Sequence, residues 1–278
     1  METAPADSSL EPVAVRVRRM RFDLDAAPRY WHSDSPFLTH HFTAMSLFFP
    51  GGERFFIDSV RHFEKDLADP VLRGQVKAFV AQEGQHSHHH RVYDRLMSRS
   101  GVPVDRYEGW VDGLLRFMRR WIPAKAQLAL TITLEHFTAV FADLLLTDDQ
   151  ITEGMHPKVR ELWLWHAVEE TEHKAVAFDV YQQVCGSYWL RAFMMARVII
   201  GFPIGILFFH FLLMIGDRKA FGVRDIARGL RIVWGPGGFF PSALRGLLVF
   251  FRRDFHPWQK DNRNLIDDWS EQHPAVAS

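Results

Sequence analysis

The sequence predicts an all-α protein, a four-helix bundle followed by a hydrophobic helical extension at its C-terminal end. Three observations predict it. Between residues 50 and 186, Pro or Gly repeatedly stands at segment boundaries while the interiors carry apolar residues at three-and-four spacing. Within that stretch a segment with a lone Glu is followed by one with Glu-x-x-His, and this pairing occurs twice in order. Residues 198–216, VIIGFPIGILFFHFLLMIG, then run for nineteen residues with one ionisable group, His210. No region reads as a β-sheet.

Taken in order, residues 1–27 are expected to be a flexible tail, because METAPADSSLEP is acidic and proline-containing and lacks the apolar core of a secretory signal. Residues 28–187 are expected to form the bundle and residues 188–278 the hydrophobic, basic extension. The aromatic-rich stretch PRYWHSDSPFLTHHFTAMSLFFP has weak periodicity and is expected to pack over the bundle without an assigned element. A first helix follows Pro50-Gly51 to about Lys65. A second opens at Asp69-Pro70, with Asp as cap and Pro in the first turn, and closes near Ser100-Gly101. After a short helix around residues 105–119, a third long helix runs from Pro123 to about Thr147 and a fourth from Pro157 to Gly186.

Composition narrows the function. Lys plus Arg and Asp plus Glu number 33 each, so no charge imbalance points to nucleic acid. A single cysteine, Cys185, excludes an intrachain disulfide and a cysteine-only metal site, and fits the cytoplasm. The fifteen histidines turn attention to metal chemistry.

On a helix, residues i, i+3, i+4 and i+7 share a face. Glu53 falls in a stripe with Phe56, Ile57 and Val60, Glu83 with Val76, Phe79, Val80 and His86, and Glu135 with Leu128, Ile132, Ala139 and Ala142. Glu170 shares its face with Trp163, His166, His173 and Ala177. Each acid therefore points toward apolar neighbours. Burying ionised carboxylates without partners costs several kcal/mol each, and no matching set of Lys or Arg occupies these faces. Two divalent cations would balance four carboxylates with neutral imidazoles. One Glu from each of two helices, plus Glu-x-x-His from each of two others, is also the ferritin-like recipe for a dinuclear site. The expected ligands are Glu53, Glu83, His86, Glu135, Glu170 and His173, with His166 as a seventh ligand or a supporting imidazole. Of the other histidines, His90 shares the face of His86; His88, His89, His62 and His136 are assigned no role. Glu169 and Glu172 lie off the ligand face and are expected to be solvated or to act as hydrogen-bond partners.

The segments SLFFPGGERFF, AQEGQHSHH, LTITLEHFTA and LWLWHAVEETEHKAVAFDVY resemble a bacterial family of predicted metal-dependent hydrolases over roughly residues 28–190. The spacing of His166, Glu170 and His173 also resembles the fourth-helix motif of diiron arylamine N-oxygenases, in which a third His adds a seventh ligand. Both resemblances imply a ferritin-like diiron fold, and the second implies oxygen activation at the seven residues named. Iron is thus the expected metal, with manganese and zinc also suited to carboxylate and imidazole ligands. The leading expectation is a nonhaem diiron oxygenase or oxidase, using oxygen and an electron donor on a small or lipophilic substrate. A two-metal hydrolase and a non-enzymatic iron-handling protein are the alternatives.

A simple membrane span over residues 198–216 would carry residues 218–253, with eight Lys or Arg against one acid, Asp225, away from the cytoplasm. A re-entrant or interfacial segment at the inner face of the membrane keeps those charges beside anionic lipid. A homodimer helix is the competing expectation.

Overall fold

The computed structural model describes residues 13–217 and 219–273. It is all-α: α1 (Pro36–Ser46), α2 (Phe49–Arg61), α3 (Pro70–Arg99), α4 (Val104–Trp121), α5 (Ala124–Thr147), α6 (Asp149–Thr152), α7 (Pro157–His173), α8 (Val176–Val184), α9 (Tyr188–Gly216), α10 (Val223–Trp234), α11 (Phe239–Leu248) and α12 (Arg263–Gln272). Among the described residues no strand forms; one isolated bridge joins His32 to Met155.

Local signals set the helix starts. Asp69 accepts a hydrogen bond from the Val71 amide and Ser35 one from the Leu38 amide, satisfying amides with no intrahelical acceptor. Pro occupies the first turn of α1, α2, α3 and α7, where its missing N–H costs nothing. The α1 helix fills the stretch left unassigned above, and all eleven of its residues are buried, so no polar face marks its period.

Helices α2, α3, α7 and α5 pack in a closed ring, α2 on α3, α3 on α7, α7 on α5 and α5 on α2, which fits a four-helix bundle. At Gly51, a Cβ would meet Asp112 Oδ1 at 2.7 Å and Leu115 Cδ1 at 2.9 Å, so glycine lets α2 approach α4 closely two residues before Glu53.

Four expectations change. The fourth helix is two, α7 and α8, parted at Lys174-Ala175. There the Lys174 ammonium is buried, donating to the Lys260 carbonyl at 2.8 Å and Asn262 Oδ1 at 2.6 Å. The chain therefore turns directly after His173 without a Pro or Gly to announce it, and α8 ends at Val184, two residues before Gly186, whose φ is +57°. Of the expected tail, residues 1–12 lie outside the described residues, and within the remainder Arg18, Met20 and Leu24 are buried against the bundle. The first helix stops at Arg61. Finally, residues 198–216 belong to one continuous helix, α9, which continues through Pro203 instead of re-entering. It packs on α1 and α5, and its buried residues join the same core as the bundle.

Candidate metal centre

The three-residue step from Glu83 to His86, and from Glu170 to His173, turns acid and imidazole to one side of α3 and of α7, while α2 and α5 bring in Glu53 and Glu135. All seven expected ligands meet in the middle of the ring and all are buried. Three groups there have donor atoms close enough to hold an ion: Glu53 with His86 and His166, Glu83 with Glu135 and His173, and Glu83 with His86 and Glu170. Glu83 and His86 each belong to two of these groups, and Glu170 lies 3.7, 2.8 and 3.5 Å from His86, His166 and His173.

The distances are those of donors gathered around a missing charge. His173 Nε2 lies 3.1 Å from Glu83, 3.5 Å from Glu135 and 3.5 Å from Glu170. His166 Nε2 is 2.8 Å from Glu170 Oε1 and 4.0 Å from Glu53 Oε1; His86 Nδ1 is 3.8 Å from Glu83 and 3.7 Å from Glu170. Thr138 donates to the second oxygen of Glu170.

Each imidazole is oriented by its other nitrogen, as metal-bound imidazoles are. His173 Nδ1 is 2.9 Å from Gln82 Oε1, while the Gln82 amide nitrogen donates to Glu172 and to the Arg16 carbonyl. Gln82 can only accept there, so His173 donates from Nδ1 and turns Nε2 to the cluster. His86 Nε2 lies 3.1 Å from Glu169 Oε2. Burial pushes the Glu169 carboxyl up to about 8 while Arg18 pulls it down. The Arg18 amide, the Arg18 guanidinium and the Trp165 indole donate to its Oε1, while its Oε2 pairs with His86 and leaves His86 Nδ1 facing the cluster.

Electrostatics states the same need. Burial raises the carboxyls of Glu53 and Glu135 well above their usual range, and neighbouring carboxylates raise them further. Burial also raises Glu83, against the pull of His173. For Glu170, burial is more than reversed by His173 and His166, so it is held well below the usual range. Burial lowers His86, whereas Glu170, Glu83 and Glu135 together overcome burial at His173 and raise it. Both oxygens of Glu53, Glu83 and Glu135, with His86 Nδ1 and His173 Nε2, are buried without a hydrogen-bond partner. Eight orphaned atoms converging on one place are costly unless a cation serves them, and this donor set fits two divalent ions.

Residues 16–261 match the family described as predicted metal-dependent hydrolase. The chain belongs to that family. No curated protein and no solved structure matches this metal-dependent hydrolase family member. The match extends beyond the bundle to α11, so the extension is part of the family's shared body.

The supporting shell of this family member was only partly foreseen. Glu169 and Glu172 are buried partners: Arg18 Nη2 lies 2.5 Å from Glu172 Oε1 and Nη1 lies 3.5 Å from Glu169 Oε1. His90 donates or accepts at 2.7 Å with His166 Nδ1. Of the histidines assigned no role, His88 is exposed, His89 packs edge-on to Phe22 and Trp165, and buried His136 bonds the Gly246 carbonyl. Arg18, Gln82, Ser46 and Asp94 were missed, and only Gln82, adjacent to Glu83, carried any positional signal.

A cavity of about 650 Å³ opens between α2, α4, α5 and α9 and reaches the cluster at Glu53 and Thr138. Its walls are apolar, with Phe48, Phe56, Leu134 and Phe202 among them; Arg197 stands on its lining as well.

Proposed function

We propose that this chain is a two-metal enzyme whose substrate is apolar and reaches the cluster through the α2–α4–α5–α9 cavity. The observation that carries the reading is the joining of an apolar cavity to Glu53, one of the seven buried Glu and His side chains that converge on one another with no Lys or Arg in ion-pair range among the described residues. Glu53, His86 and His166 would hold one ion and Glu83, Glu135 and His173 the other, with Glu170 completing the set. Two such ions supply Lewis acidity and an acidified water or, if they are iron, electrons for oxygen. The chain itself buries the cluster, orients the imidazoles through Gln82 and Glu169, and holds the Glu170 carboxylate through Thr138.

Metal-dependent hydrolysis is the reaction class that the family description favours. Oxidation of the same apolar substrate at a diiron centre is the second reading. It is favoured by a third imidazole, His166, within the cluster and by a cavity with few polar groups to meet a hydrolytic leaving group.

The test loads the protein separately with zinc, manganese and iron(II) and measures metal per chain, cleavage of p-nitrophenyl esters of increasing acyl length, and oxygen uptake. Ester cleavage by zinc or manganese protein that disappears in Glu83→Ala supports hydrolysis. Oxygen uptake by iron protein beyond that of free iron, without ester cleavage, supports the second reading. Fewer than one metal per chain under all loadings defeats both.

A further inference from the structure

The cavity mouth lies in an apolar surface that the protein leaves uncovered. Helix α9 is long and apolar enough to cross a membrane by length and composition, as is α5, but the apolar window of α5 is 78% buried and that of α9 only 33%. The exposed side of α9 carries Phe193, Ile200, Ile204, Phe208, Phe211 and Ile215, a stripe at three-and-four spacing along nearly the whole helix. A second stripe on α4, Trp110, Leu114, Phe117 and Trp121, is also exposed. The two stripes meet where the Trp110 and Phe208 rings stack at 6.5 Å, and the cavity is lined by Leu114 from one and Phe193 from the other. A contiguous apolar face of this extent marks an interaction site.

The charges identify the occupant. From Gly113 to Gln127 and from Gly186 to Gly216 the sequence contains no Asp or Glu, and the exposed cations Arg116, Arg120, Lys125 and Arg197 stand there, besides Arg119, which pairs with Asp58. Exposed arginines lie over the aromatic rings of the face: Arg120 over Trp121, Arg197 over Phe193 and Arg253 over Trp189. A second copy of the same face would set these cations against one another. An anionic lipid surface would take the rings into its acyl region and the guanidinium groups at its phosphates, with Trp at the boundary.

We propose that α4 and α9 form a monotopic docking face for an anionic phospholipid bilayer, with the mouth of the α2–α4–α5–α9 cavity opening into the lipid. Docking requires no metal and no turnover, so it can fail while the enzymatic reading holds, and the reverse. The test is sedimentation of the full chain with vesicles of phosphatidylglycerol and, separately, of phosphatidylcholine. Wild-type protein is expected to sediment with phosphatidylglycerol, and about tenfold or more weakly with phosphatidylcholine or in Arg120→Glu/Arg197→Glu. Phe208→Glu/Phe211→Glu is expected to stay in the supernatant with an unchanged circular dichroism spectrum. Should that variant not fold, quenching of wild-type tryptophan fluorescence by brominated phosphatidylglycerol decides instead. Absence of sedimentation and quenching overturns the proposal, as does a stable wild-type dimer that Phe208→Glu/Phe211→Glu converts to monomer.

Discussion

His90 Nε2 lies 2.7 Å from His166 Nδ1, and His90 Nδ1 lies 3.0 Å from the Ser46 hydroxyl, which donates to Asp94 Oδ1 at 2.8 Å. With Ser46 donating to Asp94, His90 donates to Ser46 from Nδ1 and accepts from His166 Nδ1–H. His166 Nε2 faces the Glu170 carboxylate at 2.8 Å, so His90 orients the ring from its far side. His90→Ala is therefore expected to weaken metal binding about 10–100-fold, as loss of an orienting partner does. Competition against a chromophoric chelator checks this, and His90→Gln, able to offer a carbonyl to His166, should recover part of the loss. Equal affinity in wild type and His90→Ala would separate His166 from the centre.

Glu53→Gln replaces a carboxylate whose ionisation is opposed by burial and by four neighbouring carboxylates, Glu83, Glu170, Glu135 and Asp94. Without metal the variant should melt higher than wild type, by roughly 2–4 °C for each kcal/mol of repulsion and desolvation relieved. With metal it should gain less than wild type does, because one ligand charge is gone. Scanning calorimetry with and without chelator reads both effects, and a lower apo melting temperature would contradict the electrostatic account.

Arg18→Ala removes the guanidinium between Glu169 and Glu172, both fully buried at the side chain. Leaving those carboxylates unpaired should destabilise the protein by about 3–5 kcal/mol. The double variant Glu169→Gln/Glu172→Gln in the Arg18→Ala background should recover much of that loss in urea unfolding. Failure to recover would mean that Arg18 contributes mainly through packing over Trp269, whose ring it overlies at 5.2 Å.

Burial lowers His32 to about 4, with its Nε2 against the Ile151 carbonyl at 2.9 Å. Because the folded value lies below the unfolded one, stability is full above about pH 6.5 and is lost as pH falls toward 4, where the unfolded chain takes up the proton first. This residue should account for about 2 kcal/mol of the stability lost between pH 7 and pH 5. Urea unfolding of wild type and His32→Gln at the two values measures the share; parallel losses in both proteins would refute it.

Leu134→Trp places an indole on the lining of the cavity that reaches Glu53. Metal content should be unchanged, and kcat/KM for the longest acyl substrates should fall more than for the shortest. A uniform loss across acyl lengths would exclude this cavity as the substrate route.

Much of the site was legible in the sequence because a helix converts spacing into direction. Glu83 with His86, and Glu170 with His173, could be placed on apolar faces from the three-residue step alone, and Pro70, Pro157 and Asp69 announced where their helices begin. The all-α class followed from the same periodicity. Tertiary structure decided what no single helix contains. The break after His173 depends on Lys174 reaching Lys260 and Asn262, some ninety residues away along the chain. Arg18 finds Glu169 and Glu172 across more than a hundred and fifty residues, and the Asp94–Ser46–His90 chain that turns His166 draws on α1 and α3 together. Nor could composition say which side of α9 would be covered: hydropathy records how apolar a helix is, whereas its exposure depends on which neighbours pack against it.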